Sequence, residues 1–194
     1  MKNAGLIFLS AFLVNNIVLM RFLGLCPFFG VSTAVETATG MGMAVIFVMT
    51  LASWITWAVY HFVLSPFSLV FLRTAIFILT IASLVQLVEM FLKRYYRALY
   101  SAMGIYLPLI TTNCAILGIT FLNIDNDFNF LNGTVFAIGT GLGFALIIIT
   151  FAAIRERLDQ APINPSFQGY PISFIAASLM ALAFLGFSGL FGLT

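Results

Sequence analysis

Gly24-Leu25-Cys26-Pro27-Phe28-Phe29-Gly30-Val31-Ser32 and its echo, Asn113-Cys114-Ala115-Ile116-Leu117-Gly118-Ile119-Thr120, decide how this chain is read. Both contain Cys-x-x-x-Gly-x-Ser/Thr, and each of the chain's two cysteines opens one copy. Each copy lies in a strongly apolar segment yet carries residues that interrupt a helix. These are Gly24, Pro27 and Gly30 around the first cysteine, and Pro108, Thr111, Thr112, Asn113 and Gly118 around the second. Proline removes a backbone donor and glycine weakens a helix interior. The pattern predicts two broken helices, the first stopping near Gly24 and restarting after Pro27.

Working outward, the chain is 62% hydrophobic and only 7% charged, with a mean hydropathy of +1.14. Soluble domains carry roughly 25% charged residues, so this composition describes an integral membrane protein. Apolar runs cover Gly5–Gly24, Gly40–Leu64, Leu69–Leu92, Ala102–Leu122, Gly133–Ile154 and Ile172–Leu193. Each is close to the ~20 residues that cross a ~30 Å hydrocarbon core. Backbone polar groups must be satisfied within the bilayer, and the runs do not alternate as barrel strands do. The expected fold is all-α, one membrane domain of about six transmembrane helices, the first and fourth broken. The small positive charge does not indicate nucleic acid. Lys2 is a lone charge with no A-x-A-type exit behind the first run, so that run is expected to stay in the mature chain.

Lys93, Arg94, Arg97, Arg155 and Arg157 follow the odd-numbered runs, with Arg21 near the first; the other side holds Lys2, Arg73, Asp125 and Asp127. The basic side is cytoplasmic, which leaves both termini on the outer, periplasmic side. A second echo matches Thr39-Gly40-Met41-Gly42-Met43-Ala44 to Thr140-Gly141-Leu142-Gly143-Phe144-Ala145. The cysteines are 114 − 26 = 88 apart and these stretches 140 − 39 = 101 apart. Two matches in the same order predict halves near 1–95 and 96–194. Three crossings per half would insert the second half upside down, the plan of inverted-repeat transport proteins.

A lone buried cysteine is usually a small hydrophobe. Two cysteines beside helix breakers, at matched places, point instead to soft metal ligation near the bilayer centre. Two thiolates are half of the four that an iron–sulfur cluster takes. A partner or a second copy would complete the set, and backbone N–H groups freed at the breaks would donate to sulfur.

Several runs carry a family resemblance: Asn15-Asn16 and Arg21-Phe22-Leu23-Gly24-Leu25-Cys26-Pro27-Phe28, Leu107-Pro108-Leu109-Ile110-Thr111-Thr112-Asn113-Cys114-Ala115, Ala153-Ile154-Arg155-Glu156-Arg157-Leu158 and Gly186-Phe187-Ser188-Gly189-Leu190. Over essentially its whole length the chain resembles the RnfA/RnfE/NqrD/NqrE family of membrane subunits. Pro27 and Thr112-Asn113-Cys114 favour the Rnf branch over the NqrE type of the sodium-pumping NADH:quinone reductase. The resemblance implies pairing with a homologous RnfE-type subunit in opposite orientation. Cys26 and Cys114 would then hold half of a shared intramembrane [2Fe-2S] cluster. It further implies RnfB, RnfC, RnfD and RnfG types as neighbours, with flavins on other subunits. It also implies a prokaryotic plasma (inner) membrane, where a translocase couples ferredoxin:NAD+ electron flow to Na+ or H+ movement. Coupling would need reduction to stabilise one helix arrangement over another.

Asn15, Asn16, Thr112 and Asn113, polar in apolar surroundings, and Arg21 are candidates for the cluster's environment or for coupling. Interhelical hydrogen bonds and snorkelling are their ordinary roles. Glu89, near Gln86, Lys93 and Arg94, is a further coupling candidate or an interfacial ion-pair partner; His61 is a lone interfacial histidine. No Walker loop, dinucleotide fingerprint or triad spacing occurs, so no catalytic residue is assigned. A small secondary transporter with structural cysteines and a flavin-anchoring scaffold remain alternatives of other classes.

Overall fold

The computed structural model describes residues 4–67, 70–95, 107–162, 164 and 167–186, and no strand occurs among them. Lys2, Arg97, the expected start of the second half at Tyr96, and Phe187–Leu190 of the last motif lie outside the described residues. Helix α1 (Ala4–Leu9) passes into a π-helical turn (Ser10–Val14), and an irregular stretch then leads to α2 (Leu25–Val31). Helix α3 (Val35–Val59) is prolonged by a π-helical turn (Tyr60–Leu64) and followed by the short α4 (Ser65–Phe67). A 3-10 turn (Val70–Leu72) leads into α5 (Arg73–Tyr95). Then come α6 (Leu107–Thr111), α7 (Cys114–Asp125), α8 (Phe130–Asp159) and α9 (Tyr170–Leu185).

Among the described residues three helices are long and apolar enough to cross a membrane: Val35–Leu64, Arg73–Met90 and Phe130–Asp159. Three shorter apolar segments, Ala4–Val14, Leu109–Asp125 and Tyr170–Leu185, accompany them. The short ones include both helices expected to be broken.

The core is the antiparallel pair α3 and α8. Trp54 Nε1 donates to Thr134 Oγ1 at 2.9 Å towards one end, and Val35 N–H donates to Glu156 at 2.8 Å at the other. Between them Met41, Val45, Met49, Phe144, Ile147, Ile148 and Phe151 are fully or almost fully buried. Lipid tails are as apolar as these side chains, so close packing, not the hydrophobic effect, must hold the helices together. Glycine supplies the closeness. A Cβ on Gly42 would stand 2.9 Å from the Ala145 Cβ, and one on Gly141 3.1 Å from the Ile46 Cα. Helix α5 presents Leu79, Leu87 and Met90 outward, as a lipid-facing helix does.

The first break is not where Gly24 and Pro27 suggested. The helix stops at Val14, and the irregular stretch runs through Gly24. Asn16 stops it: its Oδ1 accepts the Val18 N–H at 3.0 Å, a local turn that competes with the helical ladder. Pro27 lies within the first turn of α2, where the missing N–H has no intrahelical partner to lose. The second break falls at Thr112–Asn113, between α6 and α7, as expected.

Element bounds recur at nearly constant spacing. The first helix of each set ends at Val14 and Thr111, 111 − 14 = 97; α5 and α9 begin 170 − 73 = 97 apart, and α3 and α8 begin 130 − 35 = 95 apart. The cysteine echo, at 88, is out of this register. The first break spans 15–24 and the second only 112–113, so Cys26 comes second in its helix and Cys114 first, despite unequal lengths of chain before them.

Gly143 is the tightest of the helix-packing glycines against backbone: a Cβ there would stand 2.7 Å from the Phe12 carbonyl oxygen, whereas one on Gly40 meets nothing within 4 Å. Gly143→Ala is therefore expected to cost about 1–3 kcal/mol, the usual range for overpacking. Gly40→Ala, in open space within α3, should stabilise by about 0.5–1 kcal/mol. Thermal-aggregation midpoints in detergent check the pair.

Candidate metal centre

The two breaks meet. Gly24 adopts φ 85° and ψ 23°, the left-handed conformation open to glycine, and so turns its N–H towards Cys114. That N–H donates to Cys114 Sγ at 2.9 Å. A Cβ at position 24 would also be crowded, 3.0 Å from the Phe144 ring and 3.1 Å from the Ala115 Cβ. Leu23 lies over Gly118, whose absent Cβ would be 2.6 Å from Leu23 Cδ1. The irregular stretch is thus fastened along the first turns of α7.

Asn113 starts α7. Its Oδ1 accepts the Ala115 N–H at 3.0 Å, and its backbone carbonyl accepts from Ile116 at 3.1 Å. Asparagine is a favoured N-cap for this reason. Cys114 follows, half-buried, while Cys26, two residues beyond Gly24, is exposed. The two thiols therefore belong to segments that touch, and one of them opens onto the surface of the chain.

Helix α2 is too short to be stable alone, and α8 holds it. Arg155 Nη1 donates to the Phe29 carbonyl at 3.0 Å and to Ser32 Oγ at 3.1 Å. Thr37 Oγ1 donates to the Val31 carbonyl at 3.1 Å. Glu156 accepts the first N–H of α3, that of Val35. One cation closes the C-terminus of α2 and the adjacent anion opens the N-terminus of α3, each matching the sign of the helix end it meets. Phe28 stacks on Phe151, ring centroids 4.2 Å apart, and Phe29 packs against Phe174.

The remaining candidates are scattered. Asn16 is buried beside Gly143. Asn15 is exposed; its Nδ2 donates to Ser10 Oγ at 3.1 Å. Asn15 and Arg21 line a cavity of about 310 Å³ with Ser10, Asn126, Phe128 and Thr140. Arg21 therefore does not group with Arg155 and Arg157: it shares a cavity with the residues that follow α7. The early stop at Val14 turns the chain before Arg21 is reached. Thr112 is exposed at the second break, and Glu89 is half-buried near the end of α5. Arg73 pairs with Asp125 at 2.8 Å and lies over the Phe121 ring. His61 stacks on Trp57.

The sequence led to the expectation that backbone N–H groups at the breaks would donate to sulfur, and Gly24 does so, but it did not single out Gly24 as the donor; nor did it lead to Arg155–Glu156 as a double cap. The signal for the second was available: adjacent opposite charges near the end of a long apolar run. Among the described residues no three His, Cys, Asp or Glu side chains gather at one point. A soft metal held at Cys26 and Cys114 would find no third such ligand among the described residues. Two thiols on contacting breaks, one already bonded to a backbone N–H and the other exposed, fit half of a four-thiolate site.

A family described as "Rnf-Nqr subunit, membrane protein" matches residues 5–191. The chain belongs to the Rnf-Nqr family. Similar Rnf-Nqr relatives share about half of its residues over almost their full length. The A-type subunit of the Na(+)-translocating ferredoxin:NAD(+) oxidoreductase complex of Acetobacterium woodii is 56% identical, over 95% of this chain and 96% of that one. The A-type subunit of the ion-translocating oxidoreductase complex of Syntrophotalea carbinolica is 55% identical over 98% of both. The A-type subunit of the proton-translocating ferredoxin:NAD(+) oxidoreductase complex of Clostridium ljungdahlii is 54% identical over 95% of both.

Hydrogen bonds to a charged group contribute about 1.5–3 kcal/mol. Arg155→Ala should lower the thermal midpoint accordingly and speed maleimide labelling of Cys26 by loosening α2. Arg157→Ala, at an exposed position, should change neither. Equal labelling rates in wild type and Arg155→Ala would refute the anchoring role.

Proposed function

We propose that this chain is the A-type subunit of an Rnf-type, ion-translocating ferredoxin:NAD+ oxidoreductase, part of an enzyme but without a complete active site of its own. Its part is electron relay inside the membrane, through half of a [2Fe-2S] site whose other half a homologous, oppositely oriented subunit of RnfE type supplies. One observation carries the reading: Gly24 N–H on Cys114 Sγ joins the two breaks, with Cys26 exposed two residues away. Relatives named as the A-type subunits of such complexes at 54–56% identity support the assignment to the complex.

The ligands contributed here are Cys26 and Cys114. A [2Fe-2S] group held by them would supply one-electron transfer within the bilayer, where no aqueous carrier reaches. The chain's own residues do the rest. Gly24 orients Cys114 Sγ through its N–H. Asn113 fixes the start of α7, and Arg155 fixes the end of α2. Phe28, Phe144 and Phe151, all buried, keep water from the inner side of the site. The exposed thiol of Cys26 leaves the outer side to the partner.

The fold belonging to this reading is a pair of inverted three-helix repeats. Bounds that recur at 95–97 residues and the antiparallel α3–α8 pair support it. The basic end with Lys93, Arg94, Arg155 and Arg157 would be cytoplasmic, both termini outside. The ion is not chosen by overall similarity, since a sodium-named and a proton-named relative stand at 56% and 54% identity.

Cys26→Ser and Cys114→Ser are each expected to abolish an iron–sulfur EPR signal of the intact complex, together with coupled ion transport. Iron and acid-labile sulfide should fall in step. Normal signal and turnover in both variants would overturn the reading and favour a transporter with structural cysteines.

A further inference from the structure

We propose that the Asn113 carboxamide works at both ends: Oδ1 caps α7, and Nδ2 donates a hydrogen bond to the sulfur centre at Cys114, raising the potential at which that centre accepts an electron. This rests on the reading that sulfur-ligated iron occupies the two breaks.

Asn113 is only 4% exposed, and its Oδ1 is committed to the Ala115 N–H. Its Nδ2 is buried with no partner. A buried donor left unpaired costs about 1–3 kcal/mol, and native structures rarely tolerate one. Placement says what the missing partner is. Asn113 immediately precedes Cys114, and its Oδ1 lies 3.4 Å from where a Gly24 Cβ would stand. Gly24 is the residue whose N–H already reaches Cys114 Sγ. Asn113 therefore sits beside an existing N–H···S contact; its Nδ2 makes no bond to the free thiol, and the sulfur of a loaded centre is the acceptor assigned to it.

Asn16 supplies an internal comparison. It stands 113 − 16 = 97 residues earlier, in the register of the element bounds, and makes the same turn, Oδ1 to the Val18 N–H. It too is buried with an unpaired Nδ2. Ile17, not cysteine, follows it, and its Nδ2 stands 3.0 Å from the Cβ position of Gly143. An unpaired amide alone does not point to sulfur; adjacency to a ligand thiol does, and only Asn113 has it.

The consequence is electrostatic. One electron gained at the centre, with no bond made or broken and no proton moved, adds negative charge to sulfur. Hydrogen bonds to charged acceptors are the stronger ones, so a nearby donor favours the reduced state. Asn113 thereby acts on the potential without touching iron.

The test is an EPR-monitored redox titration of the purified complex, with dithionite and mediators, on wild type, Asn113→Ser, Asn113→Asp and Asn16→Ser. Serine and aspartate both keep an N-cap oxygen, so α7 retains its start. The expected result is an intact signal whose midpoint falls from wild type to Asn113→Ser and further to Asn113→Asp, with Asn16→Ser at the wild-type value. An unchanged midpoint in Asn113→Ser, or an equal fall in Asn16→Ser, overturns the role of Asn113 alone. A wild-type complex without iron and acid-labile sulfide overturns the reading beneath it.

Discussion

A backbone that leaves the helix inside a bilayer must find partners within the protein, since lipid offers none. Among the described residues, the apolar segments that carry the cysteines leave the helix at 15–24 and at 112–113. The two irregular stretches satisfy this requirement partly through each other: Gly24 gives its N–H to Cys114 Sγ, and Leu23 fills the space over Gly118. The break-to-break contact places the two cysteine-bearing segments together whatever else the complex contributes. Closing either break into continuous helix would withdraw the other's partner.

Everything around this contact keeps it in place. Helices α3 and α8 form a rigid antiparallel core because glycines admit close approach, and α8 also carries the side chains that reach α2. Arg155 and Glu156 illustrate how a chain that is only 7% charged uses its charges. Side by side on α8, they close one helix and open the next, where an unpaired carbonyl or N–H would be expensive. Arg73 and Asp125 join α5 to α7 at the opposite end. The buried face of α2 is aromatic, Phe28 against Phe151, and its exposed face carries Cys26, so the helix has a core side and an open side.

Much of this was legible in the sequence because membrane burial leaves long signals. The apolar runs located the three long helices, and the fourth run is interrupted at Thr112–Asn113, among the polar residues expected to break it; the first run, expected over Gly5–Gly24, is helical only to Val14. Gly24 and Pro27 misled about the first break. Proline is harmless in a first turn, and the effective terminator was the quieter Asn15-Asn16 pair, whose side chain competes locally for a backbone N–H. The spacing of the cysteines, 88, does not show the 95–97 at which element bounds recur, because the two breaks differ in length. The capping roles of Arg155 and Glu156 depend on contacts across more than a hundred residues, so the adjacent charges mark the pair in the sequence but not the helix ends they meet. Arg21 was assigned to the wrong group for the same reason that the break was misplaced.

The most direct test of the account is a density map of the membrane-embedded complex at side-chain resolution. One body of metal density is expected, bonded to the sulfurs of both Cys26 and Cys114, with Gly24 N–H on the latter and the remaining ligands from a neighbouring subunit. Two thiols separated by intervening helix, or Cys26 facing acyl chains with no metal beside it, would contradict it.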